Sequence, residues 1–454
     1  MTLEKEGQFS NKLIKAVLDK YDYLDSRDKA FVKRVCEGTV ERKIEIEYYL
    51  NSFSSVPVRK MKPLIRALLQ MSVYQLLYMD SVPDSAVCNE ACKLAVSHKF
   101  QNLRGFVNGV LRNIARQKES LPMPDEKKSP IEYLSVKYSM PAWIVEKWMK
   151  EYGREMTAKM LEGLLNVHPV SVRFRPDMNA EQIESLCRQM AEKGAVLNPN
   201  KYLPYAYILK YSDNLSYLPG FSEGDWTVQD VSCALAVEAA GVKADDTVLD
   251  ACAAPGGKTL LAANKAKLVY SRDVSEEKIA VITENAERLG VENIVVDAWD
   301  ATIPDESKIG KMDVVLLDVP CSGLGIIGKK RDIKYRITEE GLLSLSELQK
   351  NIVKTCADYV KQGGTLLYST CTIHTEENEG MVKYITEELG FTPVSLKDSL
   401  PENVLLERQL SRSMVKGTAK KYLEEMSDEQ RDCFIQMYPG VMECDGFFIA
   451  KFTK

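Results

Sequence analysis

Val248-Leu249-Asp250-Ala251-Cys252-Ala253-Ala254-Pro255-Gly256-Gly257-Lys258 reads as a buried strand running into a small, glycine-rich turn that opens a helix. Gly256 and Gly257 let the backbone pass close to a ligand, and the helix start offers it unpaired N–H groups. The turn is neither GxGxxG nor a phosphate loop ending in Lys-Ser/Thr, so a dinucleotide or ATP phosphate site is not favoured. Around it the chain alternates. Strand-like runs cover Thr247–Cys252, Leu268–Asp273, Ile294–Asp297, Asp313–Asp318 and Thr365–Ser369. Helical patterns at Lys258–Ala266, Ser275–Leu289 and Gly341–Lys361 separate most of them. Such alternation predicts a Rossmann-like α/β domain over 226–454, a parallel doubly wound sheet whose ligands bind beyond the carboxyl ends of the strands.

Reactive side chains fall at those ends. Asp273 closes the second strand, about 20 residues after the turn, where an acid commonly takes ribose hydroxyls. Asp300 follows the third strand. Either acid alone could be a helix cap. With the turn they point to an adenosine-containing cofactor. Leu317-Asp318-Val319-Pro320-Cys321-Ser322-Gly323 puts a carboxylate and a thiol at the mouth of the fourth strand, and Tyr368-Ser369-Thr370-Cys371-Thr372 puts a second thiol at the fifth. Adjacent parallel strands would bring Cys321 and Cys371 together. Two thiols beside an acid suit one chemistry well. Carbon 5 of cytosine is a poor nucleophile, and a thiolate adding at carbon 6 makes it electron-rich enough to accept a methyl group. A carboxyl group on the N3/N4 edge would stabilise the charge that develops on the ring.

Upstream the style changes. Residues 1–125 read as an all-helical bundle, with helical spacing over Ser26–Phe53, Pro63–Met79, Ala86–His98 and Gly105–Arg116 and a turn and cap at Pro83-Asp84-Ser85. Leu121–Pro130 carries three prolines and is the best linker. Residues 126–225 then read as linker helices followed by a small α+β unit, with strands at Val170–Phe174 and Ala206–Tyr211 and a helix capped by Asn179.

Composition narrows the class. The 454 residues carry a net charge of −5, yet residues 1–140 hold 23 Lys and Arg against 17 Asp and Glu. A basic front on an acidic body suggests docking to an anion such as RNA. Eleven cysteines, an odd number scattered along the chain, are not a disulfide framework, and Cys88 and Cys92 read as buried structural residues. The three histidines, His98, His168 and His374, form no zinc pattern with cysteine, so no metal is expected. No apolar run is long enough to span a bilayer and the first 20 residues are polar, so a cytoplasmic monomer without membrane attachment is expected.

Several of these segments together resemble a known family. ACAAPGGK (251–258), DVPCSGLG (318–325), STCT (369–372) and the ending DGFFIAKF (445–452) are similar to the RNA cytosine-C5 methyltransferases of the NOL1/NOP2/Sun group. SRDKAFVKRVCEGTVERK (26–43), MSVYQLLYMDSVPDSAVCNEA (71–91) and RGFVNGVLRNIAR (104–116) resemble the RNA-binding NusB-like domain. The resemblance covers nearly the whole chain. It implies S-adenosylmethionine as cofactor and 16S rRNA, or a small-subunit precursor, as partner. It implies Cys371 as nucleophile and Cys321 as an aid to release of the methylated base. Cys252, Ala253, Ala254, Pro255, Gly256, Gly257, Lys258, Asp273, Asp300 and Asp318 fall at positions implied to hold the cofactor, with Asp318 also facing the cytosine. The basic run Lys329–Arg336 resembles the family's RNA-facing loop, His374 is placed to tune Cys371, and Gln436–Cys444 diverges from the pattern.

Other readings give different signatures. A methyltransferase acting on an exocyclic amine usually carries Asn/Asp/Ser-Pro-Pro-aromatic after the fourth strand, where this chain has Asp318-Val319-Pro320-Cys321. Another rRNA or a tRNA is an alternative substrate, and a non-catalytic RNA-binding or antitermination factor is an alternative class.

Overall fold

The computed structural model describes residues 10–21, 23–166, 170–211 and 214–454, so His168 lies outside the described residues. The chain divides into two compact units. One holds the residues up to Lys150 together with Ile327–Arg336; the other holds Glu151–Ile326 and Ile337–Lys454.

The first unit is helical. After α1 (Ser10–Lys20) come α2 (Ser26–Glu41), α3 (Lys43–Phe53), α4 (Pro63–Tyr78), α5 (Asp84–Ser97) and α6 (Arg104–Arg116), then α7 (Pro130–Lys137) and the start of α8 (Ala142–Tyr152). Apolar residues of α2 to α6 share one core that includes Ile46, Leu69, Val73, Val107 and Leu111. Cys88 and Cys92 lie in it, as expected of structural cysteines. The single helical pattern over Ser26–Phe53 is two helices that break at Arg42, where ψ rises to 14°. Helix α5 starts at Asp84 itself and has no side-chain cap, so the Pro83-Asp84-Ser85 turn is shorter than expected. Residues 121–130 run inside this unit, because α7 packs on α3 and Ser139 Oγ accepts a hydrogen bond from the Ile44 N–H.

The basic run after the Pro-Cys segment also belongs to this unit, where several of its side chains are engaged by α2. Arg331 pairs with Glu37 and Glu41 at 2.9 Å each. Lys334 Nζ donates to the Glu41 carbonyl at 2.8 Å, and Tyr335 Oη donates to the Val40 carbonyl at 2.9 Å. Lys334 is buried, and burial pushes its ammonium down to about 7 against the pull of Glu41. Only Lys329 and Lys330 of the run are exposed. The acids Glu37 and Glu41 on α2, one helical turn apart, hold the Arg331 guanidinium between them.

The second unit begins with the end of α8 and α9 (Arg154–Leu165), then an antiparallel sheet in the order β2-β3-β1-β4. Its strands are β1 (Val170–Phe174), β2 (Val196–Pro199), β3 (Ala206–Lys210) and β4 (Trp226–Val228). Helix α10 (Ala180–Glu192) packs on it and starts with a reciprocal cap between Asn179 and Gln182.

The large sheet follows: β5 (Thr247–Asp250), α12 (Gly257–Ala263), β6 (Leu268–Asp273), α13 (Glu276–Arg288), β7 (Ile294–Ala298), β8 (Met312–Asp318), α14 (Glu339–Ala357) and β9 (Val360–Thr370). Helix α11 (Val231–Ala240) precedes it. Strand order is β7-β6-β5-β8-β9, all parallel, and then β12 (Phe447–Thr453) joins β9 antiparallel. β11 (Phe434–Met437) and the short β10 (Thr392–Pro393) pair antiparallel with β12. The sheet is therefore mixed, with a parallel half that matches the predicted alternation and an antiparallel flank that it did not show.

Both faces of the parallel half are covered, which explains its near-continuous apolar strands. Val248, Val314 and Leu316 point into the core shared with α11 and α12, while Leu249, Val315 and Leu317 point into the core shared with α14. That alternation leaves the strand ends, Asp250, Asp273, Asp318 and Thr370, along one edge of the sheet.

Candidate active site

The glycine-rich turn leaves β5 and starts α12 at Gly256, whose φ of +103° lies in the region that glycine adopts without penalty. The Ala254–Pro255 peptide is cis. The turn is tied to the next strand: Ala254 N–H donates to Asp273 Oδ2 at 2.9 Å. Asp273 Oδ1 takes the Val274 N–H at 2.7 Å and Lys278 Nζ at 2.8 Å. Asp273 is thus a buried carboxylate facing the turn.

Asp300 is exposed. Its Oδ1 accepts from the Thr302 N–H and hydroxyl, bonds that hold its carboxyl below the usual carboxylate range. Asp297, at the end of β7, pairs with Arg272 at 3.0 Å. Asp305 takes the other side of that guanidinium at 2.7 Å, and Trp299 stacks on it.

At the end of β8, Asp318 Oδ2 meets Lys258 Nζ at 2.6 Å and Oδ1 accepts from Ser369 Oγ at 3.0 Å. Lys258 is buried and lies 5.2 Å from the Phe447 ring centroid. Burial works to lower its pKa, but Asp318 and the neighbouring acids outweigh it and hold the ammonium above its ordinary value. Cys252, one residue into the turn, has its thiol raised by burial.

Parallel pairing of β8 with β9 sets Asp318 opposite Ser369, and the two thiols meet just beyond, three residues on from Asp318 and two from Ser369. Cys321 Sγ and Cys371 Sγ are 3.2 Å apart. The hydrogen bond between them, together with burial, pushes the Cys321 thiol well up, so Cys321 keeps its proton beside the Cys371 sulfur. Behind them the backbone is close-packed. Gly325 N–H donates to the Cys371 carbonyl at 3.1 Å, Gly446 N–H donates to the Gly325 carbonyl at 3.0 Å, and a Cβ on Gly325 would lie 2.0 Å from the Gly446 oxygen.

Several residues that hold this arrangement have no obvious sequence mark. Glu377 is fully buried and accepts from Ser322, Gln349 and His374. His374 Nδ1 is therefore directed at Glu377, at 3.2 Å. Asn378 and Gln436 both donate to the Thr372 carbonyl, so the divergent 436–444 stretch contributes a buried support to the Cys371 loop. Gln229, after β4, donates to the Gly257 carbonyl at 3.0 Å and accepts from Arg173. One signal was present: Gln349 occupies the stripe of α14 formed by Leu342, Ser346, Ile352 and Cys356, where a polar residue is out of place unless it has buried partners.

The donor set suits S-adenosylmethionine. Carboxylates end or follow β6, β7 and β8, and they disfavour phosphate while complementing a sulfonium and an ammonium. Among the described residues no group of three or more His, Cys, Asp or Glu could hold a metal, and no helix is long and apolar enough to cross a membrane.

Comparison with known proteins is decisive. Residues 239–453 match the model of the 16S rRNA methyltransferase RsmB/F family, and residues 1–116 match that of the NusB family. The chain is 34% identical to the probable ribosomal RNA small subunit methyltransferase B of Bacillus subtilis, over 100% of this chain and 96% of that one. The chain belongs to the small-subunit rRNA methyltransferase B family.

Family membership makes it a methyltransferase that uses S-adenosylmethionine and acts on small-subunit rRNA. Another relative in the family, from Proteus mirabilis, is 31% identical over 95% of this chain and 92% of its own length. Among solved structures, that of PH0851 superposes with a TM-score of 0.75 at 23% identity, covering 97% of this chain and 93% of that one. A methyltransferase homologue from Pyrococcus horikoshii gives 0.58 at 24% identity over 72% and 99%. At these identities the structures speak for the fold, and they agree with the family in it.

Proposed function

We propose that this methyltransferase modifies carbon 5 of a cytosine in 16S rRNA through a covalent adduct on Cys371. The observation that carries this reading is the pair of sulfurs 3.2 Å apart at the ends of β8 and β9, beside Asp318. Cys371 Sγ bonds to carbon 6 of the base, which loads electron density onto carbon 5. Bound S-adenosylmethionine supplies the methyl group. Cys321 then passes its thiol proton to the departing Cys371 sulfur and takes up the proton of carbon 5, as the sulfur–carbon bond breaks and the C5–C6 double bond re-forms. Asp318 has lone pairs left after Lys258 and Ser369 are served, and these accept from the N4 edge of the base. Residues 252–258, Asp273, Asp300 and Asp318 would hold the cofactor, with Asp273 placed to accept from ribose hydroxyls.

Within this reading, residues 1–125 form the RNA-docking domain, 126–225 the linker helices and small α+β subdomain, and 226–454 the catalytic domain. The excess of cations over residues 1–140 supports the first assignment. The target base leaves its stack to reach the thiols.

Nucleoside analysis of a 16S rRNA transcript treated with enzyme and cofactor tests the chemistry. The expected product is 5-methylcytidine. N4-methylcytidine instead would mean attack by the exocyclic amine and no role for the thiol pair.

A further inference from the structure

Cys321 sits in an irregular stretch after β8, where no strand ladder fixes it. One carboxylate takes the place of a ladder. Glu377 Oε2 accepts from the Ser322 N–H at 2.9 Å and from Gln349 Nε2 at 2.8 Å. Its Oε1 accepts from Ser322 Oγ and faces His374 Nδ1 at 3.2 Å. The same Gln349 amide donates to the Pro320 carbonyl at 2.9 Å, so residues on both sides of Cys321 are tied to one buried acid. Ser322 Oγ lies 2.6 Å from Thr372 Oγ1, which connects the clamp to the residue after Cys371. Glu377 is itself anchored, because its carbonyl accepts from Tyr368 Oη on β9 at 2.7 Å.

A fully buried carboxylate costs stability unless every oxygen is served, and this one has four donors. Its bonds converge on the short segment that aims Cys321. Nothing in the chemistry of attack by Cys371 requires that segment; release of the product does.

We infer that Glu377 is a positioning residue for the release step: by clamping Pro320 and Ser322 it holds Cys321 Sγ against Cys371 Sγ. The inference rests on the covalent reading above. With Glu377 removed, Cys371 still attacks and the methyl group is still transferred, but the adduct resolves slowly. Misplacement of a reacting group by about 1 Å can cost on the order of a hundredfold in rate.

The test uses the full chain with S-adenosylmethionine and a 16S rRNA transcript, read on a denaturing gel and by steady-state kinetics. Glu377→Ala should accumulate a covalent protein–RNA band that disappears in the Glu377→Ala/Cys371→Ala double variant. Its kcat should fall about a hundredfold, with KM for S-adenosylmethionine within twofold of wild type, and Glu377→Gln should recover part of the loss. Ser322→Ala, which removes one donor and leaves the acid in place, should show a weaker band and about a tenfold loss; it carries the test if Glu377→Ala does not fold. Turnover without a band, fast or slow, in whichever of the two folds would overturn the positioning role. Cys321→Ala serves as control. If it too gives no band while wild-type enzyme is active, the covalent reading itself fails; if it gives one and the Glu377 and Ser322 variants do not, only the present inference fails.

Discussion

The two halves of the sheet's carboxyl edge use buried polarity in opposite ways. At β5 to β7, Asp273 is met by backbone N–H groups and a half-exposed lysine, and Asp300 stands in solvent with only its own turn. At β8 and β9, the sulfurs rest on a closed set of buried partners: Ser322, Gln349, Thr372, Glu377 and Asn378. On the proposed reading the first half holds the cofactor, which enters and leaves at every turnover and so needs partners that can be exchanged. Two sulfurs that must meet at one distance need a frame that does not move. The first half combines a buried acid, Asp273, with an exposed one, Asp300, whereas the second rests on buried partners throughout.

If this division holds, the halves fail differently. Asp273→Asn should weaken S-adenosylmethionine binding about a hundredfold or more. It places an amide opposite the Ala254 and Val274 N–H groups and leaves the thiol pair intact. Calorimetry on the full chain measures the loss. Unchanged affinity with a reduced catalytic rate would erase the distinction between the halves.

A smaller effect is expected two residues beyond Glu377. Glu379 is also buried, but its Oε2 has no hydrogen-bond partner, and burial raises its carboxyl to about 7, with Glu151 adding to the shift and Arg412 opposing it. The folded protein therefore retains this proton between the ordinary carboxyl value of 4.5 and about 7, where the unfolded chain has lost it. Stability from this group falls as pH rises through that window and stays lower above it. Glu379→Gln should remove that slope and raise stability at pH 8 by roughly 2–3 kcal/mol, with little change at pH 4. Denaturant melts at the two pH values check it. A variant less stable at pH 8 would show that Glu379 is served as fully as Glu377.

Much of this was legible in the sequence because it rests on short-range patterns. Apolar runs ending in Asp273 and Asp318 marked parallel strands, and their parallel order brought Cys321 and Cys371 together. The antiparallel flank was less visible, since β11 and the short β10 carry too few residues to show alternation. The EEN run at 376–378 carries no pattern that sets one residue apart, and only the tertiary structure buries Glu377 and Asn378 while leaving Glu376 exposed. The partners of Lys329–Arg336 were hidden for a related reason. Local charge suggested phosphate, but Glu37 and Glu41 lie almost 300 positions away and no spacing rule connects them to Arg331.

Trapping tests the central claim most directly, with Cys321→Ala protein, S-adenosylmethionine and a 16S rRNA transcript on a denaturing gel. A covalent protein–RNA band that vanishes when Cys371 is also replaced is the predicted result. No band, or one that survives the loss of Cys371, while wild-type enzyme methylates the same RNA, would contradict the roles given to the two sulfurs.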